Sequence, residues 1–448
     1  MSVSIGSLLN ASLKHAITFV PYYGALLLKD VEDPQLQEFP IINADIVSAS
    51  PELFYHLDRF PDFVLTTGGT TSSGSSKFFL LNYDEADLAF RTNLSLGEGF
   101  FFKPESFHGL VLNLTDMQHG LMLPPAHGQP VITLPLEVGR HLPLVIRFLR
   151  EGLVVKGIRY KFIELLGSIT KLRALTAYCE DLGISAADFG IQRIVTMAFH
   201  SSQLWTERLR RVWGAQVIVT YGLTEFSEAV TSCCVGCGGY HVPPTVYAEY
   251  LSLDLSAPVT KGPAILVLTS LYPYRRSMPL IRYNTRDLIE VLPECRLTEK
   301  RGFRFHGRQG TVLFDPTVSN HILLTSLDVL DAVDDAGDEF PGAICYDDAV
   351  ATVMSWGSGK DASTFRDSGY PALNCEVKTG NTTYVQVTIE TNNAGNEENS
   401  SALELAIYNR LYSLVQMRTR AEVPLDAVRV NCVPQGTLKE QGIPLTLI

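Results

Sequence analysis

Apolar residues in the middle of the chain follow two spacings that predict alternating helices and strands. Residues 172–182 carry apolar side chains at helical spacing. The segments 191–198 and 216–220 are short apolar runs of the kind found in buried strands. Between them, Ser201 or Ser202 is placed to cap a second helix. This strand–helix–strand order predicts a mostly parallel α/β layer.

The pattern shifts towards strands in the second half of the chain. Strand-like segments are predicted at residues 264–272, 279–283, 383–391 and 427–433, and one helix is predicted at 402–417. The residues after Gly310 therefore indicate a small α+β domain. The predicted fold class is α/β, with a large N-terminal domain of several subdomains over residues 1–309 and a small C-terminal domain over 310–448.

Composition and charge narrow the class of protein. The 448 residues are 46% hydrophobic and carry a net charge of −12, which argues against a nucleic-acid partner. No segment is long and apolar enough to predict a membrane span, and no signal peptide is recognisable. Together with eight cysteines, this predicts a cytoplasmic protein with thiols or a metal site rather than disulfides. Acidic residues cluster at 328–339, which predicts a solvated surface.

A loop of Thr, Ser and Gly follows an apolar strand end at Val64 and Leu65 and closes at Lys77. Its glycines allow a close backbone approach, and its N–H and hydroxyl groups can bind phosphate oxygens. Taken alone, the loop is equally typical of a flexible linker. It matches neither the P-loop spacing nor the dinucleotide-binding glycine pattern.

Three further motifs decide between these interpretations. They are TyrGlyLeuThrGlu at 221–225, IleArgTyrAsnThrArgAspLeu at 281–288 and GlyArg at 307–308. With the loop, they stand in the order and approximate spacing of the adenylate-forming superfamily. The sequence most resembles its phenylacetate–CoA ligase branch and the related CapK-type proteins, from about Pro21 to Arg308.

The resemblance implies that a carboxylic acid attacks the α-phosphorus of ATP, with Mg²⁺ present, and that the resulting acyl-adenylate passes its acyl group to an acceptor. The acid is expected to be aromatic or otherwise apolar. CoA is the expected acceptor, and an amine or a carrier-protein thiol is the alternative. The small C-terminal domain would be a mobile lid, and a homodimer is one assembly that the resemblance allows.

The resemblance also assigns roles to single residues. The pyrophosphate end of ATP would contact the loop residues Thr67, Gly68, Gly69, Thr70, Thr71 and Ser72. Adenine would stack on Tyr221 beside Gly222, the α-phosphate would contact Thr224, and Mg²⁺ would bind Glu225. The ribose hydroxyls would bind Asp287, with Arg308 near ribose or phosphate. The acyl group or adenine would lie near His200 and Phe226.

A second candidate site combines three cysteines and a histidine. Cys234, Cys237 and His241 are closely spaced, and Cys295 follows later in the chain. This Cys₃His set suits tetrahedral Zn²⁺. Some members of the resembled branch carry structural zinc in this region. The alternative is a group of buried free thiols, since free cysteine is among the most buried residue types.

The C-terminal tail departs from the family pattern. A lysine usually follows a glycine there, but Ile443 follows Gly442, and Lys439 is the nearest cation. Lys439 is therefore the candidate for the catalytic lysine. Two other classes of function stay open, namely a weakened homologue that binds nucleotide for regulation and a zinc-dependent hydrolase, which would need an open metal position.

Overall fold

A computed structural model of the chain describes residues 4–26, 33–66, 78–95, 109–115, 131–135, 141–197, 200–315, 318–347, 370–379, 382–392, 397–419 and 427–441. In these ranges the α-helices are α1 Ile5–Phe19, α2 Pro21–Leu26, α3 Ala44–Ala49, α4 Tyr83–Ser95, α5 Leu142–Glu151, α6 Ile169–Asp181, α7 Gln203–Trp213, α8 Ser326–Glu339, α9 Glu397–Arg418 and α10 Thr437–Glu440. None of these helices combines the length and apolar character that a membrane crossing requires.

The strands of the first part are β1 Phe63–Thr66, β2 Phe78–Leu81, β3 Leu110–Thr115, β4 Val131–Pro135, β5 Leu153–Val155, β6 Ile158–Tyr160, β7 Phe162–Ser168, β8 Arg193–Met197, β9 Gln216–Leu223 and β10 Phe226–Ser232. Those that follow are β11 Val246–Leu251, β12 Gly262–Ser270, β13 Tyr283–Glu294, β14 Arg301–Arg308, β15 Leu313–Phe314, β16 Ile322–Leu324, β17 Tyr346–Asp347, β18 Tyr370–Pro371, β19 Leu373–Thr379, β20 Thr383–Thr391 and β21 Val428–Pro434.

A six-stranded sheet forms the centre of the first half, in the order β10-β9-β8-β7-β3-β4. Every neighbouring pair is parallel except β9 and β10, which form an antiparallel hairpin. The helices α5, α6 and α7 pack their apolar faces into the same core as this sheet. The predicted parallel α/β layer is therefore confirmed.

The helices of this layer begin and end at residue types that are typical of helix termini. Ser202 is the residue that caps α7, and its side chain accepts a hydrogen bond from Trp205 N at 3.3 Å. Gly214 follows α7 in the left-handed conformation that glycine adopts without strain. Gly183, after α6, also has a positive φ of 63°.

A second, antiparallel sheet has the order β11-β12-β13-β14. It shares a large core with α1 to α3 from the N-terminus. The predicted strand at 279–283 is wrong, because β13 begins only at Tyr283. In the segment before it, the backbone N–H groups donate to side chains: Ile281 N donates to the Tyr23 hydroxyl, and Arg282 N donates to Thr269 Oγ1.

The C-terminal part has its own core of sheet and helix, which confirms the predicted fold class. The strands β19, β20 and β21 form one sheet, and their apolar side chains cluster with those of α8 and α9. The described residues carry β15 soon after β14, so residues 309 and 310 lie in a short connection. The domain boundary between residues 309 and 310 stays a prediction.

Helix α8 belongs to two cores at once. Val329 and Val333 lie in the C-terminal core, whereas Leu330 lies in the core of the six-stranded sheet. On this second face Asp334 pairs with Arg173 of α6 through two hydrogen bonds, of 3.1 Å and 2.8 Å, and both side chains are fully buried. The prediction that residues 328–339 form a solvated surface is therefore wrong for the face that packs on α6.

Candidate active site

The motif at residues 221–225 lies at the tip of the β9–β10 hairpin. Strand β9 ends at Leu223 and β10 begins at Phe226, so Thr224 and Glu225 alone form the connection. Strand β9 is parallel to β8, and its carboxyl end is therefore at the edge of the sheet where open α/β sheets bind ligands. Both turn residues are half-buried.

Asp287 is the buried carboxylate of the site. It is 1% exposed and lies on β13, directly opposite Arg308 of β14. The Tyr221 hydroxyl donates a 2.5 Å hydrogen bond to Asp287 Oδ2. Arg308 Nε lies 3.1 Å from Oδ1, yet its N–H is not aligned with this oxygen, so Oδ1 has no hydrogen-bond partner among the described residues.

The protonation states of Asp287, Arg308 and Tyr221 depend on one another. Burial raises the pKa of Asp287 above its ordinary value, although the Arg308 guanidinium opposes the shift. In return, Asp287 raises the pKa of Arg308. The pKa of Tyr221 is raised well above its ordinary value by burial and by the neighbouring Asp287. The tyrosine hydroxyl therefore stays protonated and remains a donor at neutral pH.

Glu225 is held at both its side chain and its backbone. The Tyr283 hydroxyl donates to Glu225 Oε1 at 3.0 Å, and Arg275 Nη2 donates to the Glu225 carbonyl at 3.2 Å. Arg275 is 1% exposed and also pairs with the buried Glu228 at 3.3 Å. The charge of Glu225 adds to the rise in the pKa of Asp287, as expected for a like charge in the same site.

Cys234, Cys237, His241 and Cys295 converge on one point. Their ligand atoms all lie within 4.8 Å of one another. The sulfurs of Cys234 and Cys295 are 3.8 Å apart, which equals the edge of about 3.8 Å expected for a tetrahedron with zinc–sulfur bonds of about 2.3 Å. The Cys237 sulfur lies 3.3 Å from His241 Nε2. The four residues fit a zinc ion.

Backbone N–H groups also point at these sulfurs. Gly236 N donates to the Cys234 sulfur at 3.4 Å. Hydrogen bonds from the backbone of Leu297 and Thr298 lower the pKa of Cys295 to about 6. Such donors stabilise thiolates, which are the form that binds metal. The cluster joins the β10–β11 connection to the turn between β13 and β14.

Solved structures share the fold of this chain, although sequence comparisons find no relative. No protein-family model matches the chain, and no curated protein matches its sequence. The structure is similar to that of 2-hydroxyisobutyryl-CoA ligase in complex with R3-HIB-AMP, with a TM-score of 0.61 and 13% identity over 96% of this chain and 85% of that one. The chain has the fold of the adenylate-forming ligases.

Two further structures agree with this assignment. The same CoA ligase in complex with 2-HIB-AMP and CoA gives a TM-score of 0.53 at 14% identity, covering 98% of this chain and 91% of that one. An anthranilate CoA ligase in complex with anthranoyl-AMP gives 0.51 at 12% identity, covering 83% and 62%. These similarities extend across both the sheet layers and the C-terminal part of the adenylate-forming fold.

The structure brings together the predicted residues Tyr221, Thr224, Glu225, Asp287 and Arg308. Asp287 is buried against Arg308, whereas its sequence neighbour Arg286 pairs with Asp45. Gly222 lies exposed beside Tyr221 on β9. The roles of these residues towards ATP stay predictions.

Other predicted residues lie elsewhere or outside the described ranges. The loop residues Thr67, Gly68, Gly69, Thr70, Thr71 and Ser72 lie outside them, as does Lys77. Lys439 is in α10, the last described helix. His200 follows β8 and is partly buried, and burial with a smaller effect of Arg173 lowers its pKa to about 4. Phe226 is 0% exposed, with its ring 5.7 Å from that of Tyr283.

Two residues that contact Glu225 were not singled out from the sequence. Tyr283 is part of the motif at 281–288, but the spacing alone does not tell which side chains point at Glu225. Arg275 lies outside every motif, in the connection before β13. A buried arginine in a connection between two strands has no sequence signature, so only the folded chain identifies it.

Proposed function

We propose that this chain is an ATP-dependent ligase that activates a carboxylic acid as its acyl-adenylate. The observation that carries the proposal is the pair of tyrosine-bound carboxylates, Asp287 and Glu225, at one edge of the sheet in an adenylate-forming fold. No donor from the described residues reaches the buried Asp287 Oδ1, so this oxygen offers an acceptor to a ligand hydroxyl.

In the proposed reaction, a carboxylate oxygen of the acid attacks the α-phosphorus of ATP. A bond forms between these two atoms, the bond from the α-phosphorus to the bridging oxygen breaks, and pyrophosphate leaves. Asp287 accepts hydrogen bonds from the ribose hydroxyls, and Tyr221 contacts adenine. Thr224 and Arg308 donate to phosphate or ribose oxygens. The loop at residues 67–72 and Lys439 complete the proposed set of phosphate contacts.

Glu225 is proposed to hold Mg²⁺, which neutralises charge on the phosphate oxygens when it is bound. The chain's own contribution is to fix the carboxylate: Tyr283 orients its side chain and Arg275 its backbone. Such positioning and charge stabilisation account for most of the catalysis in phosphoryl-type transfer.

In the second step, a nucleophile attacks the acyl carbon and AMP leaves with the electron pair of the broken carbon–oxygen bond. We propose CoA as the acceptor, because the similar structures include a CoA ligase crystallised with an acyl-AMP and CoA. An amine or a carrier-protein thiol is the alternative acceptor. The acid is proposed to be aromatic or otherwise apolar, with His200 and Phe226 near its pocket.

The test is carboxylate-dependent exchange between pyrophosphate and ATP, measured over a broad panel of acids. We expect exchange with at least one aromatic or apolar acid. Trapping with CoA, hydroxylamine and amines then identifies the acceptor. An absence of exchange with every acid in the panel would overturn the ligase proposal.

One sequence observation favours a second candidate, a weakened homologue that binds nucleotide without turnover. Ile443 follows Gly442 at the position where the resembled family carries its lysine. Under this alternative the protein would bind ATP yet give no exchange. Replacing Ile443 with Lys would then be expected to bring exchange activity, whereas an active wild type would exclude this candidate.

The four-ligand cluster is proposed to hold a structural Zn²⁺. Four protein ligands close a tetrahedral site, so the ion would link two connections rather than perform chemistry. Metal analysis should find one zinc per chain, and Cys237→Ser should lower both the zinc content and the melting temperature. A protein purified without zinc at full thermal stability would contradict the proposal.

A further inference from the structure

We propose that Tyr283 and Arg275 are positioning residues that set the orientation of Glu225 towards Mg²⁺. This inference rests on the proposed function, since it concerns the same nucleotide site. Tyr283 and Arg275 would contribute to metal binding without contacting the metal themselves.

The geometry leaves one oxygen of Glu225 for a ligand. Oε1 accepts the Tyr283 hydroxyl at 3.0 Å, and no other hydrogen bond reaches this carboxylate among the described residues. Within the part of the chain that the structure describes, Oε2 therefore accepts no hydrogen bond. Because one oxygen is anchored, the plane and direction of the carboxylate are fixed before a cation arrives, so less rotamer entropy is lost on binding.

Tyr283 can act as a fixed anchor because it is itself immobile. Tyr283 is 2% exposed and is the first residue of β13, and its ring contacts that of Phe226. Burial and the nearby Glu225 hold the pKa of Tyr283 well above its ordinary value, so the hydroxyl remains a donor over the neutral range.

Arg275 fixes the backbone of the same turn. The guanidinium donates to the carbonyl of Glu225 at 3.2 Å and to that of Met278 at 3.1 Å, and it pairs with Glu228 of β10. Three elements are thus joined through one buried side chain. The pairing of Leu223 with Phe226 closes the two-residue turn, and Arg275 adds a hydrogen bond that fixes the Glu225 carbonyl.

The test compares the affinity for ATP with Mg²⁺ and with a chelator, measured by titration calorimetry on the full chain. The ratio of the two affinities reports the contribution of the metal. Tyr283→Phe should lower this ratio about tenfold, as expected for losing a hydrogen bond to a charged group, while leaving the affinity in chelator unchanged. A merely structural role would change both affinities together.

The matched control is Tyr250→Phe, which removes a hydroxyl from β11 of the same sheet. The Tyr250 ring packs against Phe303, and among the described residues its hydroxyl makes no hydrogen bond to Glu225, so the ratio should stay at its wild-type value. Arg275→Lys is the second variant. It keeps a positive charge for Glu228 but cannot reach all three partners, and we expect the ratio to fall about threefold.

The outcomes separate this inference from the proposed function. Wild-type protein that binds no ATP under either condition would overturn both. Wild-type protein that binds ATP more tightly with Mg²⁺, by a ratio that Tyr283→Phe and Arg275→Lys leave unchanged, would overturn the positioning roles alone. Thermal unfolding of each variant shows that the protein measured is folded.

Discussion

Two buried aspartates, Asp334 and Asp287, each face an arginine, but their surroundings differ. Asp334 and Arg173 are both fully buried, and two aligned hydrogen bonds join them. Asp287 is equally buried, yet the Arg308 side chain is 40% exposed and leaves Oδ1 without an aligned donor. Both oxygens of Asp334 accept from Arg173, whereas the second pair keeps one carboxylate oxygen and an exposed cation available for a ligand.

Burial alone therefore does not distinguish a functional carboxylate from a structural one. A pair sealed from water whose carboxylate oxygens both accept hydrogen bonds joins two helices and leaves neither oxygen open to a ligand. A pair with one exposed partner and one unused oxygen can exchange its contacts for those of a substrate. The same substitution should therefore have different consequences at the two positions.

The largest expected effect is that of Asp334→Asn on stability. The change keeps the shape of the side chain but leaves the charge of Arg173 buried without its counter-ion. The free energy of unfolding should fall by about 3–5 kcal/mol. Denaturant unfolding checks the value, and a loss below about 1 kcal/mol would contradict the view that this pair is structural.

Asp287→Asn should instead act on the nucleotide. Its partner Arg308 reaches water, so its charge is not stranded, and stability should change little. The affinity for ATP should fall about 10- to 100-fold, because hydrogen bonds from ribose to a charged acceptor are lost. Calorimetry measures the affinity. If ATP binding is unchanged and unfolding is easier, the contrast between the two pairs fails.

Replacing both members of the first pair should have a smaller effect than replacing one. In Arg173→Met with Asp334→Leu, no buried charge remains, and well-packed apolar groups often substitute for a buried ion pair. We expect the free energy of unfolding to lie within about 2 kcal/mol of the wild type. A double variant as unstable as Asp334→Asn would show that the charges themselves are required.

The smallest effect concerns Asp331, one turn before Asp334 on α8. Burial, with the nearby charges of Asp334 and Asp328, raises its pKa to about 6, although a hydrogen bond from Gln203 N opposes the shift. Folding therefore favours the protonated form. Its stabilising contribution is complete below the ordinary pKa and is lost as the pH rises through about 6.

Asp331→Asn should remove this pH dependence while keeping the acceptor for Gln203 N. Unfolding midpoints measured at about pH 4 and about pH 7 test the expectation. The wild type should lose more stability than the variant over this interval. Equal losses in the two proteins would assign the pH dependence to other groups.

The sequence predicts the grouping of Tyr221, Glu225 and Asp287 better than it predicts the packing of α8, and the roles of the three residues stay predictions. Tyr221, Glu225 and Asp287 lie in local motifs, and short motifs keep their spacing wherever the fold places them. The partner of Asp334 could not be predicted, because Arg173 lies 161 residues away and no local pattern links them. The acidic run at 328–339 therefore indicated a solvated surface, although one face of its helix packs on α6.

The error at 279–283 has a different physical cause. The apolar residues there predicted a strand, but Arg282 has a positive φ of 53°, and its N–H bonds to a threonine side chain. Such tertiary hydrogen bonds replace those of a strand ladder and leave no trace in the pattern of apolar positions. The predicted helices succeeded because their periodicity and end signals are local.

The double membership of α8 bears on how the polypeptide can be divided. A fragment that stops at residue 309 would lack Leu330, which fills part of the core beneath the six-stranded sheet. It would also expose to water both Arg173 and the apolar side chains that form this core with Leu330. Such a fragment should be prone to self-association, and one that extends through Glu339 would restore the Leu330 contact but leave Val329 and Val333, on the other face of α8, without the C-terminal core.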